Sequence, residues 1–146
     1  MSNHDIKARR FADVNVGDEI PPLGIDITTR LIVATAIASR DYQNVHHDKP
    51  GAQALGSPDI FMNILTTNGL VGRYISDWAG PEALLRSVKI KLGVPNYPGD
   101  RMELRGRVTA LREEGSDRLV DIDVAGKNGL GFHVTGTVTV VMPASA

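Results

Sequence analysis

Cysteine is absent from the 146 residues of this chain, which excludes disulfide bonds, thiolate metal sites and a cysteine nucleophile. Net charge is nearly absent too, because 16 basic and 17 acidic residues leave a formal net charge of -1. No global field therefore indicates a nucleic-acid or membrane partner. The longest apolar run, residues 31–38, is far shorter than the roughly 20 residues that span a bilayer. These absences fit a cytoplasmic enzyme, and we expect that location.

The composition predicts one globular domain. Hydrophobic residues make up 42% of the chain, and 146 residues suit one sizeable core. No internal repeat, low-complexity tract or interdomain linker interrupts the sequence. The polar N-terminus predicts a flexible arm over residues 1–10, followed by a single domain over residues 11–142.

The first half of the chain has helical signals. A short strand is predicted near residues 25–28, and Thr28 or Thr29 can cap a buried apolar helix over residues 30–40. A polar, glycine-containing loop follows. Ser57-Pro58-Asp59 then has the composition of a helix start, with a capping serine, a proline at the first position and an early acid. This pattern predicts a long central helix from Pro58 to about Asp77.

The second half alternates apolar and polar residues, which is the period of a strand with one buried face. The predicted strands cover residues 88–94, 101–110, 120–124 and 134–140. Hairpin turns are expected at residues 113–117 and 127–129. An antiparallel sheet wrapped around a long central helix is the packing that buries both apolar faces, so the predicted fold class is α+β.

The loop before the central helix holds the residues best suited to chemistry, Asp41 and His46. A histidine transfers protons near neutral pH, and a carboxylate beside it can hold a water molecule and stabilise the imidazolium. Free N–H groups at a helix start can bind charge that develops on a carbonyl oxygen. An Asp and a His in a loop are also common as local hydrogen-bonding groups, so the residues alone leave both interpretations open.

The segment Asp41-Tyr-Gln-Asn-Val-His46 resembles the D-x-N-P-(aliphatic)-H motif of MaoC-like (R)-specific enoyl-CoA hydratases, although Val45 follows Asn44 where that motif has proline. Asp48 matches an acid often found two residues after the histidine. PNYPGDRMELRGRVTAL and NGLGFHVTGTVTVVM resemble later segments of the family. The resemblance covers residues 11–142 and implies a single hot-dog domain.

The resemblance also implies residue roles. Asp41 corresponds to the carboxylate that positions water, and His46 corresponds to the general acid/base. The backbone N–H of Ile60 is expected to bind the thioester oxygen, at the place where the family usually has glycine. No cofactor is expected beyond the coenzyme A of the substrate, no metal cluster is evident, and the residues that bind the CoA phosphates remain unassigned.

The sequence is more specifically similar to the small MaoC-type subunits of actinobacterial hydratases in steroid side-chain degradation. That similarity implies a bulky acyl-CoA substrate and a hetero-oligomer with a second hot-dog protein, with a homodimer as the alternative. Two other functions stay open. One is a hot-dog thioesterase, for which Asp59 is the acid nearest the helix start. The other is a non-catalytic partner that shapes another subunit's acyl-CoA pocket.

Three further side chains are weaker candidates. His133, at the start of the last strand, is expected at the surface or the edge of the core. Asn63, within the predicted central helix, is expected in a buried polar network, with substrate contact as the alternative. Trp78 is expected in the core or a subunit interface.

Overall fold

The computed structural model describes residues 8–144, in which three α-helices are combined with a five-stranded sheet. The strands are β1 (Glu19–Asp26), β2 (Leu84–Leu92), β3 (Arg101–Glu114), β4 (Asp117–Asn128) and β5 (Gly131–Val141). The helices are α1 (Thr29–Ala38), α2 (Lys49–Ala54) and α3 (Ile64–Ala79), with 3₁₀ turns at Phe11–Asp13 and Asn44–His46. The predicted α+β class is confirmed.

The sheet is antiparallel throughout and has the strand order β1-β3-β4-β5-β2. Strands β3, β4 and β5 follow one another through short turns, whereas β2 crosses to the far edge and pairs with β5. In β3 every second side chain from Met102 to Val108 is buried, which is the alternation read from the sequence. The arrangement leaves β1 and β2 as the two edges of the sheet.

The core lies between one face of the sheet and helix α3. Helix α3 buries one face and exposes the other, because its apolar and small residues recur at helical spacing. The buried residues of α3 are Thr66, Thr67, Val71, Gly72, Tyr74, Ile75 and Ala79. The sheet contributes Met102, Leu104, Val108, Val120, Ile122, Val124, Val134, Val138 and Val140 to the same core. Burial of each large apolar side chain contributes about 1.5–3 kcal/mol.

Gly106 lets helix α3 approach the centre of the sheet. A Cβ atom at Gly106 would lie 3.0 Å from Ile20 and 3.3 Å from the ring of Tyr74. The Tyr74 hydroxyl donates to the carbonyl of Ile20 at 3.2 Å, and burial raises the pKa of Tyr74 to about 12. The missing side chain at Gly106 therefore makes the space in which a tyrosine of α3 ties the helix to β1.

The predicted start of the central helix is wrong. The helix begins at Ile64, because the N–H groups of Phe61 and Met62 pair with carbonyls of other segments instead of entering a helix. Ser57 does not cap a helix; its hydroxyl donates to the carbonyl of Asp59 at 2.7 Å. Thr28 does cap α1, by accepting the N–H of Leu31 at 3.0 Å, as predicted.

The N-terminal arm predicted over residues 1–10 lies mainly outside the described residues. Within it, Arg9 Nε donates to the carbonyl of Trp78 at 3.2 Å, and its guanidinium lies 4.9 Å from the centre of the indole ring. Trp78 is half-buried at the end of α3 and packs against the core. In the described range 8–144, no helix has the length and apolar character needed to cross a membrane.

We predict that Gly136→Ala destabilises the fold by about 1–3 kcal/mol, as expected for overpacking at a site that cannot relax. Gly136 lies in β5 opposite Ile90, and a Cβ there would overlap the carbonyl oxygen of Lys89. Gly129→Ala is the matched control, because a Cβ at Gly129 meets nothing within 4 Å. Urea unfolding measures both. Equal stability of the two variants would contradict this packing.

Candidate active site

The end of helix α1 fixes the position of Asp41. Arg40 adopts a left-handed backbone with φ of 57°, its N–H donates to the carbonyl of Ile37 at 3.0 Å, and the N–H of Asp41 donates to Ala36 at 2.9 Å. These two bonds form a Schellman motif, with arginine in the position where glycine is usual. The motif ends the helix and fixes the backbone of Asp41 against its last turn.

The 3₁₀ turn that contains His46 is held by the segment before α3. The N–H of Phe61 donates to the carbonyl of Val45 at 3.0 Å, and Nδ1 of His46 lies 2.6 Å from the carbonyl oxygen of Phe61. The imidazole also contacts the Phe61 ring edge-on, with the ring centres 5.1 Å apart. Because a carbonyl oxygen can only accept, Nδ1 must carry the proton. In the neutral form of the ring, the lone pair is therefore on Nε2.

Asp41 and His46, the two residues predicted to act together, do converge. Nε2 of His46 lies 3.2 Å from Oδ2 of Asp41. The histidine side chain is 7% exposed and the aspartate 17% exposed, so the pair opens to solvent on the aspartate side. Among the described residues, Oδ1 of Asp41 accepts one long hydrogen bond, from the N–H of Gln43 at 3.4 Å. The pair thus combines a lone pair that can take a proton with a carboxylate oxygen able to hold water.

Asn63 joins this pair to helix α3. Its Oδ1 caps the helix by accepting the N–H of Thr66 at 3.0 Å and the Thr66 hydroxyl at 2.5 Å. Its Nδ2 donates to Oδ2 of Asp41 at 3.1 Å and to the hydroxyl of Ser39 at 2.9 Å. The expected buried polar network is found, but the contact with Asp41 was not foreseen. Asparagine is among the best N-cap residues, and that signal could have located the true helix start.

Ile60 was expected in the first turn of the central helix, but it lies outside that helix. It lies four residues before α3, its side chain is buried, and its N–H donates to Oδ1 of Asp59 at 2.8 Å. The hydrogen bond from Lys49 and that from the Ile60 N–H hold the pKa of Asp59 below its usual value. Within residues 8–144 the N–H groups of Ile64 and Leu65, which do begin α3, make no hydrogen bond.

A buried amide network supports the segment before α3 from the opposite side. The N–H of Met62 donates to the carbonyl of Asn96 at 3.1 Å, in the connection between β2 and β3. Asn128 donates through Nδ2 to Oδ1 of Asn96 at 2.8 Å and to the carbonyl of Pro95 at 2.9 Å. Asn96 is fully buried. These bonds fix the backbone directly before Asn63.

His133 is buried rather than placed at the surface or the core edge, so that expectation is wrong. Its Nδ1 lies 2.7 Å from the carbonyl of Val94, and its Nε2 lies 2.8 Å from the hydroxyl of Thr67 on α3. The carbonyl requires a proton on Nδ1, so Nε2 accepts from Thr67. Burial lowers the pKa of His133. The neutral ring therefore serves as a bridge between the sheet, the β2–β3 connection and the helix.

Metal binding has no support in the part of the chain that the structure describes. No three His, Asp or Glu side chains among residues 8–144 converge as a metal would require. Among the basic residues of β2, Arg86 is paired with Asp117, while Lys89 and Lys91 are exposed.

Comparison with known proteins identifies close relatives, although no protein-family model matches the chain. The chain is 50% identical over 127 residues to the 3-oxo-4,17-pregnadiene-20-carboxyl-CoA hydratase beta subunit of Mycobacterium tuberculosis, covering 87% of this chain and 95% of that protein. A chain of the M. tuberculosis ChsH1-ChsH2 complex matches with a TM-score of 0.82 and 49% identity, covering 88% and 98%. The MaoC-like dehydratase of Rhodospirillum rubrum matches in fold, with a TM-score of 0.82, 19% identity and coverage of 95% and 99%.

We predict that the buried His133 makes stability fall at acid pH. The pKa of His133 is lowered in the folded state. As the pH falls below the ordinary histidine pKa of 6.5, the unfolded chain therefore takes up a proton before the folded chain does. Stability is thus complete above about pH 6.5 and declines as the pH falls toward the folded pKa, by at most about 1.4 kcal/mol per pH unit. Urea unfolding between pH 5 and 8, followed by fluorescence of the single tryptophan, measures the slope.

The variant His133→Gln removes the titrating group and is expected to show a shallower decline, whatever its absolute stability. His47→Gln, which replaces an exposed imidazole, is the matched control and should retain the wild-type slope. Identical slopes for wild type and His133→Gln would refute the assignment.

Proposed function

Because the chain belongs to the MaoC-like family of hot-dog hydratases, we propose that it is the subunit of an enoyl-CoA hydratase that carries the catalytic pair. The reaction adds water across the α,β double bond of an acyl-CoA thioester. The observation that carries this proposal is the contact between Nε2 of the mostly buried His46 and Oδ2 of the partly exposed Asp41, at 3.2 Å.

His46 is proposed as the group that moves the proton. The bond from Nδ1 to the carbonyl of Phe61 holds the ring and directs all proton exchange to Nε2. When Nε2 takes a proton from water, the imidazolium that forms lies against the Asp41 carboxylate, which stabilises its charge. The same nitrogen can then deliver a proton to the α-carbon.

Asp41 is proposed to hold the attacking water. As the water oxygen bonds to the β-carbon, one O–H bond breaks and its proton passes to the pair. The π electrons of the double bond move onto the α-carbon and the thioester oxygen, and the α-carbon then takes a proton. One water is consumed, and the pair returns to its initial protonation state. In the reverse direction the same groups remove water from a 3-hydroxyacyl-CoA.

The thioester oxygen needs hydrogen-bond donors while it carries negative charge. Ile60 is a poor choice because its N–H already donates to Asp59. We therefore assign the donors to the first turn of α3, where the N–H groups of Ile64 and Leu65 are free and the positive end of the helix dipole favours an anion. Asn63 connects that turn to Asp41, so water and thioester would be held by one rigid unit.

The substrate is proposed to be a bulky, steroid-type acyl-CoA. The support is the name of the M. tuberculosis relative, a hydratase of 3-oxo-4,17-pregnadiene-20-carboxyl-CoA, together with 50% identity over almost all of that protein. The thioesterase alternative has less support. Asp59, the acid that would activate water in a thioesterase, lies outside the central helix and forms an ion pair with Lys49 at 3.0 Å.

We predict that Asp41→Ala and His46→Ala each lower kcat by a factor on the order of hundreds, because each removes part of one proton-transfer unit. For the same reason the double variant should be little worse than either single one. The measurement is hydration of short, medium and steroid enoyl-CoA thioesters by the chain together with its co-purifying partner.

His47→Ala is the matched control, since it removes the neighbouring, exposed imidazole and should keep near-wild-type activity. If Asp41→Ala or His46→Ala retains wild-type turnover in an active complex, the pair is not catalytic. The chain would then be the non-catalytic subunit that shapes its partner's pocket.

A second hot-dog protein is the proposed partner. The M. tuberculosis relative is named as a beta subunit, and one of the solved structures that match, at 49% identity, is the ChsH1-ChsH2 complex. In this chain β2 is an edge strand, and a shallow groove between β2 and α3 lies beside it. The groove is lined in part by Leu65, Gly69, Gly72, Leu85 and Val88. Pairing with another sheet at β2 would cover both the open edge and the exposed leucines.

We predict that Leu85→Glu weakens association at least about ten-fold, because it places a charge on an apolar surface that the partner would bury. Leu85 is 43% exposed. Val16→Glu is the control, since Val16 is 61% exposed but precedes β1, at the opposite edge of the sheet. Co-purification with proteins encoded by neighbouring genes and mass measurement test both variants. A homodimer that hydrates short enoyl-CoA unaided would exclude the heteromer.

A further inference from the structure

We propose that Asn63 is a positioning residue that holds the Asp41 carboxylate by one oxygen, Oδ2, and thereby leaves Oδ1 to bind the attacking water. The inference rests on the proposed hydration and deepens it. Asn63 is 2% exposed, so its amide cannot turn toward solvent. The amide makes four polar contacts, two with Thr66 at the start of α3 and one each with Ser39 at the end of α1 and with Asp41.

The orientation of the Asn63 amide follows from its contact with the helix. The atom facing the backbone N–H of Thr66, at 3.0 Å, must be an acceptor and is therefore Oδ1. Nδ2 then points at Oδ2 of Asp41, 3.1 Å away, and at the hydroxyl of Ser39, 2.9 Å away. Ser39 can accept because its own proton goes to the carbonyl of Thr35, at 2.7 Å. Every group in the chain of contacts has one consistent role.

Asn63 can donate a hydrogen bond to Oδ2 of Asp41 throughout a catalytic cycle, which His46 cannot do. Nε2 of His46 donates to Oδ2 only while the ring is protonated; once the proton has left, a lone pair faces the carboxylate. The amide of Asn63 donates in both states. It carries no charge, so it holds Asp41 in place without forming an ion pair with it. Oδ1, with one bond of 3.4 Å from Gln43, is the oxygen left for water.

The titratable side chains in this cluster are Asp41 and His46, among the contacts of the described residues. Ser39 comes from the end of α1 and Thr66 from the start of α3, and both are uncharged. A change in the donor at position 63 should therefore act on the pH dependence of the pair through Asp41 alone.

Two variants at position 63 separate positioning from helix capping. In Asn63→Ser the hydroxyl can still cap α3, but it is too short to cap and to reach Asp41 together. We expect kcat of the assembled enzyme to fall about 10- to 100-fold with KM little changed, as for loss of a hydrogen bond to a charged group. Thr66→Val is the matched control: it removes the hydroxyl contact on the capping side only and should keep the wild-type kcat and pH profile.

Asn63→Asp keeps the cap but sets a second carboxylate against Oδ2 of Asp41. We expect low activity at neutral pH and partial recovery toward acid pH, because one proton shared by the two carboxyl groups restores a donor to Asp41. Loss of helix capping alone would not produce acid recovery. Wild-type kcat and pH profile in Asn63→Ser would overturn the proposal, as would an Asn63→Asp variant that folds but shows no recovery.

A measurement without substrate distinguishes this proposal from the proposed hydration. In protein carrying ¹³C-labelled aspartate, the chemical shift of the Asp41 carboxyl at neutral pH should change in Asn63→Ser, which loses the donor to Oδ2, and should stay at its wild-type value in Thr66→Val. If no enoyl-CoA is hydrated but this shift is present, the hydration proposal fails while the coupling of Asn63 to Asp41 holds. If hydration is observed and the shift is absent, Asn63 does not hold Asp41.

Discussion

The extended segment Phe61–Asn63 is the constraint on which the site depends. Its backbone is bonded to the His46 turn on one side and to the β2–β3 connection on the other, through Val45 and Asn96. The N–H groups of Phe61 and Met62 thereby have hydrogen-bond partners outside a helix, as buried backbone groups require. The same segment supplies the carbonyl that fixes the His46 tautomer and the side chain that caps α3. This short segment therefore determines where α3 begins, which nitrogen of His46 is bonded to a carbonyl, and where the Asp41 carboxylate is held.

Burying so many polar groups is costly unless each has a partner, because an unpaired polar group in the interior costs about 1–3 kcal/mol. Here Asn63, Asn96, Asn128 and His133 are buried and each is hydrogen-bonded. A network of this kind has one arrangement in which all donors meet acceptors, so it selects a single geometry. That selection gives α3 a defined axial position against the sheet, which apolar contacts, being non-directional, would leave less specific.

The strands could be read from the sequence because a period of two survives wherever one face is buried, as in Met102, Leu104 and Val108. The proximity of Asp41 and His46 could be predicted because their spacing matches a known motif. The helix start was missed although Asn63 is a favourable N-cap residue, because Ser57-Pro58-Asp59 also has the composition of a helix start and only tertiary hydrogen bonds at Phe61 and Met62 overrule it. The burial of His133 was equally hidden, because it depends on which face of β5 meets Thr67 on α3.

In the proposed enzyme, the first turn of α3 would take part in both catalysis and assembly, because it lies beside the groove at β2. The free backbone N–H groups belong to Ile64 and Leu65, residues that are 50% and 51% exposed, and Leu65 also lines the groove beside β2. An isolated chain would leave those donors in water, where a hydrogen bond to a developing oxyanion gains little over the same bond to solvent. A partner seated on the β2 edge would exclude water from the first turn of α3, and the lower local dielectric would strengthen each donor. In this proposal the Asp41–His46 pair is complete within one chain, whereas the N–H groups proposed to bind the thioester oxygen become effective donors only when the partner is bound.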